Sequence, residues 1–426
     1  MKTLFPILIA ALAAAAPLKG SDPYEVHEWG TLTQVTGSDG RPLPWYQPLS
    51  DLATLPPFVG TNPLRSKAQS LYTLRMETPV LYFYPKTALT VKVRVSFNQG
   101  AITEWYPQPV TFGAAAFAAA GQSVLSSPYT EWKVDLLPPS DATALAQIPA
   151  VPPGQGQHYA HAREVPDAWI ARSNHSTAGL QADKFIFYRG GAEFAIPVVT
   201  EAVSDSKLFL RNHLPEALPA AYVLRVQDDK AYWMRLGALE PFATALDPTK
   251  VTLSAPDKPL IEAATAMGTA MLKDLTEAGL TAAEAAAMVA TWQDSWFKEP
   301  GTRVLCLLPE KYVDQILPLQ LTPAPNKVKR VFVARLEIFT PAQESRLAML
   351  LDQSLTAPKE QRQELLAKRA EDLQALQLGR FGAAGLERAV AMKRNALQSA
   401  YFELEAELTK VKKTTASTKV NAVSAR

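Results

Sequence analysis

Hydrophobic and polar positions alternate with a period of two through much of the first half of the chain. In VKVRVSF the apolar side chains share one side of the segment, at Val91, Val93, Val95 and Phe97. This period predicts a half-exposed antiparallel strand, and AITEWY, which follows the turn at residues 98–100, is its predicted partner.

Further short segments of this half also have strand patterns. PVLYFY at residues 79–84 is a continuous apolar run, and AYVLRVQDDKAYWMRL is typical of a hairpin between residues 222–226 and 231–236. KFIFYRGGAEFAIPVV predicts two more strands around Gly190 and Gly191. Short strands with frequent prolines favour an antiparallel β-sandwich.

After residue 259 the apolar period becomes that of a helix. Residues 260–278 predict an alanine-rich helix, and Thr281 with Glu284 forms a capping box that begins a second one. Strand patterns return in RVLCLLP and VKRVFVARLEIF, and the cap formed by Thr340 and Pro341 begins a helical C-terminal region.

The fold class that these patterns predict is β-rich α+β: an antiparallel β-sandwich body with a helical hairpin insertion and a helical C-terminal region. The predicted organisation has five segments: a signal peptide at 1–20, the β-sandwich body at 21–255, a helical pair returning to strands at 256–340, a helical tail domain at 341–409, and a disordered basic tail at 410–426.

The beginning of the chain has the pattern of a secretory signal. Lys2 precedes an apolar run from Leu4 to Ala16, and small residues follow. No later segment is both apolar and long enough to cross a bilayer. We therefore expect a periplasmic or secreted protein without a membrane anchor.

Composition and missing motifs narrow the function classes. The 43 basic and 41 acidic residues give no field that would attract nucleic acid. The single cysteine, Cys306, cannot form an intramolecular disulfide, and its apolar surroundings in VLCLLP predict a buried side chain. No G-x-S-x-G elbow, P-loop or dinucleotide fingerprint is present, and we expect no cofactor.

The sharpest local signal is His27 beside Glu28, in VHEWGTLT. Adjacent side chains of a strand point to opposite faces, so a regular strand over residues 25–33 separates the two. Either residue then needs a partner from elsewhere in the chain to act catalytically or to bind a ligand. The alternative is that each only satisfies a local hydrogen-bond network.

Glutamate precedes tryptophan at Glu28-Trp29, at Glu104-Trp105 and at residues 131–132. A carboxylate beside an indole suits carbohydrate, and Glu28 and Glu104 facing one cleft would make a glycosidase site. The favoured alternative is that the tryptophans fill the core of a sandwich and the glutamates lie on the outer face of the same strands.

Three weaker candidates remain. His158 and His161, with His27, are an alternative metal-ligand set, although no H-E-x-x-H motif or cysteine ligands support it. Arg189 precedes two glycines that would let a ligand approach the backbone, or it is a structural arginine at a strand end.

Asp294 and Arg303 lie where a predicted helix meets a strand. There Arg303 either pairs with Glu299 or Asp294 and bridges two parts of the structure, or binds an anionic ligand. Asp294 lies off the apolar stripe of its helix and is expected to face solvent or another part of the protein.

As a set, several segments resemble an uncharacterised family of secreted bacterial proteins with an N-terminal VHEWGTFT-like motif. The segments are VHEWGTLT, RMETPVLYFYP, GAITEWYPQ, KFIFYRG, TWQDSWFKEPGTRVLCLLP and RVFVARLEIFTP. The resemblance covers residues 24–382, and Leu32 departs from it where phenylalanine is expected. It implies one architecture for these blocks, and no catalytic residue or activity comes with it.

Two function hypotheses follow. The favoured one is an extracytoplasmic protein, without catalytic activity, that binds a polysaccharide or a protein partner through aromatic-rich sheet surfaces, because no acid/base pair is fixed by spacing. The alternative is a secreted glycan-active hydrolase or lyase in which Glu28, Glu104 and His27 supply the chemistry.

Overall fold

The computed structural model describes residues 23–45, 55–61, 72–113, 129–242, 244, 247–356, 358, 371–372, 375–396 and 398. The predicted signal peptide and the predicted basic tail lie outside these residues. In the described part of the chain, no helix combines the length and the apolar character needed to cross a membrane.

The described residues contain twenty strands. The first ten are β1 Tyr24–Thr36, β2 Pro42–Leu43, β3 Gly60–Thr61, β4 Leu74–Pro85, β5 Leu89–Ser96, β6 Gly100–Tyr106, β7 Thr111–Phe112, β8 Tyr129–Leu137, β9 Ile170–Ser173 and β10 Gln181–Asp183. The others are β11 Ile186–Ala192, β12 Val198–Ser204, β13 Lys207–Asn212, β14 Leu218–Gln227, β15 Lys230–Leu239, β16 Thr249–Thr252, β17 Lys258–Pro259, β18 Gly301–Leu307, β19 Leu319–Thr322 and β20 Lys327–Ile338.

The helices are α1 Ala142–Leu145, α2 Gln157–His161, α3 Leu260–Glu277, α4 Ala282–Gln293, α5 Glu310–Ile316 and α6 Pro341–Thr356. A π-helical turn, Asp294–Lys298, continues α4, and residues 382–396 are also helical. The predicted capping box begins α4, because the Thr281 hydroxyl accepts from the Glu284 amide and the Glu284 carboxylate accepts from the Thr281 amide.

The strands of the described residues form three sheets. The large sheet has the order β17-β15-β14-β18-β20-β1-β4-β11-β6-β3, and β2 pairs with β1. The second sheet has the order β10-β9-β8-β5-β19, with β7 on β8, and the third is β12-β13-β16.

The large sheet is covered on both faces. One face, called the sandwich face here, packs against the two smaller sheets through a core that includes Val26, Val93 and Leu208. The opposite face, called the helix face, packs against α2, α3, α4 and the π-helical turn through a core that includes Trp29, Met271 and Trp296. The large sheet is thus the middle layer, and both faces of its central strands, such as β1, β11 and β18, are buried.

This architecture confirms the predicted fold class, which is β-rich, sandwich-like and helical towards the C-terminus. One strand pair differs from an antiparallel sandwich, since β1 pairs in parallel with β20 along its length. β18 and β20 belong to the predicted 256–340 segment, yet they lie in the middle of the large sheet with strands of the predicted body. Strands of the two predicted segments therefore belong to one sheet, because they pair over long distances in the sequence.

KFIFYRGGAEFAIPVV contributes to two strands, as predicted, but they do not meet at the glycines. β11 runs through Gly190 and Gly191, and β12 begins at Val198. A side chain at Gly190 would collide with the Ala101 carbonyl, and one at Gly191 would collide with the ring of Tyr72. The space beside the two glycines is therefore filled by the protein's own backbone and by the Tyr72 ring, and not by a ligand.

Cys306 lies in β18 with no exposed surface, and burial raises the pKa of its thiol to about 12. Because the thiolate is the reactive form, we expect folded protein not to react with a disulfide reagent such as dithionitrobenzoate at pH 8. After unfolding in guanidinium chloride, one thiol per chain should react. Rapid stoichiometric labelling of folded protein would contradict this burial.

Candidate functional site

The structure places His27 and Glu28 on opposite faces of the large sheet, as alternation along β1 requires. His27 lies on the helix face, where its Nδ1 is 2.9 and 3.1 Å from the two carboxylate oxygens of Glu284. Tyr84 donates to the same carboxylate at 2.6 Å. His27 therefore fixes β1 to the capping box of α4.

The Glu284 carboxylate has a full set of partners. Burial by itself would raise its pKa, but hydrogen bonds from His27, Tyr84 and the Thr281 amide outweigh burial and lower it. A carboxylate that accepts from so many donors has a structural role. His27 Nδ1 is used in this contact between β1 and α4.

Glu28 lies on the sandwich face with no exposed surface. Arg330 donates to its carboxylate from Nε at 2.6 Å, and the hydroxyl of Tyr188 donates to the other oxygen. Arg330 also donates to Asp314 and to the Leu317 carbonyl. Glu28 is thus the centre of a buried ion pair that joins β1, β11 and β20.

Glu104 lies on the helix face, since its neighbour Trp105 packs in the sandwich core and the strand alternates. The side chains of Glu28 and Glu104 therefore lie on opposite faces of the large sheet. Two carboxylates so placed cannot flank a single glycosidic bond, and the predicted acid/base pair does not form.

The two predicted tryptophan platforms are inside the protein. Trp29 is fully buried on the helix face beside Tyr82. Trp105 is buried in the sandwich core, where its indole N–H donates to Gln108 at 2.9 Å. Neither indole presents a face to a ligand, because each is packed among hydrophobic side chains of a core cluster.

The three histidines of the alternative metal set have separate surroundings. His161 Nδ1 lies 3.1 Å from Glu164, and the His158 carbonyl accepts from Thr291 on α4. Within the described ranges, no group of three or more histidine, cysteine or acidic side chains could hold a metal ion.

The helix face carries a band of charge that we call the arginine network, formed by Arg303, Arg335, Glu337, Glu299, Arg380 and Glu77. Arg335 pairs with Glu299 at 2.8 Å and with Glu337 at 2.9 Å. Arg380, from the C-terminal helical region, reaches Glu77 on β4 at 3.3 Å. The network therefore fixes the helical region to the large sheet.

Arg303 bridges two parts of the structure, which is one of its two predicted roles. Its guanidinium donates to Glu337 and to the carbonyls of residues 295, 296, 299 and 300. All of its donors are engaged, so none is left for an anionic ligand. Asp294 is 83% exposed at its side chain and accepts from Lys298 at 2.7 Å, outside the network.

A different arrangement surrounds Arg189, which lies on the same face beside Arg75, Glu104 and Thr103. We call these four residues the Arg189 site. Arg189 is only 5% exposed, yet its Nε has no hydrogen-bond partner, and none of the described carboxylates forms an ion pair with it. Glu104 is its direct cross-strand neighbour in β6.

Arg75 is the second guanidinium of the Arg189 site. It donates to the Trp45 carbonyl from Nε and Nη2, and it lies 4.8 Å from the Trp45 ring centroid. Burial lowers the pKa of Arg75 to about 10, and repulsion from Arg189 contributes, against attraction from Glu77 and Glu104. Burial is thus the main cause of the lowered Arg75 pKa, and the two guanidiniums of the site repel each other.

The comparisons with known proteins add little to this geometry. No family model matches the chain, and no curated relative matches it. The chain is similar to the yeast delta-COP-I mu-homology domain, at 8% identity and a TM-score of 0.27, over 76% of this chain and 98% of that one. The same domain in complex with a Dsl1 WxWxV peptide gives a TM-score of 0.26 at the same identity and coverage. Scores this low carry no argument about this chain.

The sequence analysis placed Glu284 only in a capping box and missed its contact with His27. It did not single out four further residues of these clusters: Arg330, Arg335, Glu337 and Arg75. A signal for some of them is present. In RMET and in VARLEI, charged residues alternate with apolar ones inside strands that are otherwise apolar. In a central strand both faces are buried, so such charges must pair with one another or with a ligand.

Proposed function

We propose that this protein is an extracytoplasmic binding protein, without catalytic activity, that holds the anionic group of a polysaccharide or protein ligand at the Arg189 site. The observation that carries the proposal is the buried Arg189 guanidinium, which has no counter-ion among the described residues. The aromatic platforms of the earlier hypothesis have no part in it, since Trp29 and Trp105 are buried.

Burial of a charged group without a partner is energetically unfavourable. A guanidinium buried without a partner costs several kcal/mol, on the order of the penalty for removing any ion from water. Arg303 and Arg335 on the same face avoid this cost through glutamates and carbonyls. Arg189 does not, and an anion that accepts two parallel N–H bonds from its planar fork would offset the cost on binding.

Replacement of Arg189 by methionine removes the guanidinium and tests the proposal. Trigalacturonate and a triglutamate peptide serve as carboxylate probes at low ionic strength, with affinity measured by isothermal titration calorimetry. We expect wild type to bind at least one of them and Arg189→Met to weaken that binding about tenfold or more, since hydrogen bonds to a charged group contribute about 1.5–3 kcal/mol. Arg189→Lys, which keeps the charge but loses the fork, should recover only part of it.

Arg94→Met is the matched control, because Arg94 pairs with Glu131 on the second sheet and lies outside the Arg189 site. We also expect Arg189→Met to unfold at the same temperature as wild type or higher, because an unpaired buried charge is removed. The proposal fails if neither probe binds wild type, if Arg189→Met binds as wild type does, or if this variant loses stability as a structural arginine would.

A further inference from the structure

Resting on the proposed function, we infer that the group held at the Arg189 site is the carboxylate of a uronic acid residue, and that Glu104 accepts a hydroxyl of the same sugar. Arg189 and Glu104 face each other across two paired strands, yet their side chains form no ion pair.

Arg189 and Glu104 are Cα partners in the antiparallel pair of β11 and β6. Opposite charges in this position normally attract each other across the strands. Here no ion pair forms, although both residues are 5% exposed and so are largely removed from water. A register shift follows Arg189, between it and Gly190, and it displaces the two strands relative to each other at this point.

The Glu104 carboxylate is turned towards its own strand. Thr103 donates to Glu104 Oε2 at 2.5 Å, while Oε1 accepts no hydrogen bond from the described residues. The Arg189 site therefore presents a guanidinium whose Nε donor is unused and, directly across the strand pair, a carboxylate oxygen with unused acceptor capacity.

The complementary ligand carries one negative charge and a hydroxyl close to it. A uronic acid has both, because its carboxylate accepts from the guanidinium fork while a ring hydroxyl donates to Glu104. A phosphate monoester carries roughly 1.5 to 2 negative charges at neutral pH and meets repulsion from Glu104. A carboxylate without neighbouring hydroxyls satisfies only Arg189.

The Arg189 site lies near one edge of the large sheet. The Arg189–Glu104 pair lies one strand from the edge of the large sheet, where β3 is the last strand. On that strand Thr61 is the Cα partner of Glu104, and it is exposed. The exposed residue Thr61 therefore lies directly beside Glu104 at this edge of the sheet.

The test compares four probes by isothermal titration calorimetry: trigalacturonate, the neutral galactotriose, triglutamate and galactose 6-phosphate. We expect wild type to bind trigalacturonate at least about tenfold more tightly than the other three, on the scale of one charge-assisted hydrogen bond. Glu104→Ala should weaken trigalacturonate about tenfold, leave triglutamate unchanged or tighter, and tighten galactose 6-phosphate.

Glu131→Ala is the control, since Glu131 also precedes a tryptophan but pairs with Arg94 away from the Arg189 site. The inference is overturned if triglutamate or galactose 6-phosphate binds as well as trigalacturonate in an Arg189-dependent manner, or if Glu104→Ala leaves the preference unchanged. Those results would retain the proposed function. Loss of all Arg189-dependent anion binding would overturn both.

Discussion

Replacement of Glu28 by alanine is expected to lower the free energy of unfolding by about 3–5 kcal/mol, the usual result of leaving one partner of a buried ion pair alone. Arg330 would remain buried with its Nε unpaired, and the Tyr188 hydroxyl would lose its acceptor. Urea denaturation followed by tryptophan fluorescence measures the change.

Glu131→Ala is the matched control. Glu131, like Glu28, is followed by a tryptophan, but its ion pair with Arg94 is partly exposed. We expect it to cost less than about 1 kcal/mol. The double variant Glu28→Met with Arg330→Met should recover much of the lost stability, because no charge is left unpaired. Equal effects of Glu28→Ala and Glu131→Ala would contradict the burial of the Glu28–Arg330 pair.

Acid is expected to weaken the attachment of the C-terminal helical region through Glu299. Burial by itself would raise the pKa of Glu299, but Arg335, Arg380 and Arg303 lower it from 4.5 to about 2. The unfolded chain therefore binds the proton more readily than the folded protein, so stability falls as the pH falls. The contribution is complete above pH 4.5 and is lost on approaching pH 2.

The size of this contribution is about 3 kcal/mol, from a shift of that extent at about 1.4 kcal/mol per pKa unit. Glu299→Gln should lose it at neutral pH and should show a flatter dependence of stability on pH between 4.5 and 2. Asp294→Asn is the control, since Asp294 is exposed nearby and should change stability by less than about 0.5 kcal/mol. If both variants have parallel pH profiles, Glu299 is not held by the arginine network.

The local elements could be predicted because each depends on residues close in sequence. The apolar period of VKVRVSF gives β5, and Thr281 with Glu284 gives the start of α4. Alternation along β1 also separates His27 from Glu28, and the structure has them on opposite faces. These outcomes need no knowledge of the rest of the fold.

The partners of the site residues could not be predicted in the same way. Glu284 is 257 positions from His27, and Arg330 is 302 positions from Glu28. Glu104 and Glu28 have the same dipeptide context, yet they lie on opposite faces of the large sheet, because the phase of each strand depends on its pairing register.

Local patterns predicted strands such as β4, β5 and β20, the capped start of α4, and the opposite orientation of neighbouring side chains in β1. They did not predict how strands pair: the expected pairing of AITEWY with VKVRVSF is wrong, because β5 pairs with β8 and β19 while β6 pairs with β11 and β3. The parallel pairing of β1 with β20 in the middle of the large sheet likewise appears only in the folded chain. Alternation shows that a strand has two different sides, whereas what covers each side depends on contacts between segments hundreds of residues apart. Those contacts bury the charges of the helix face, satisfy Arg303, and leave Arg189 facing Glu104 without an ion pair.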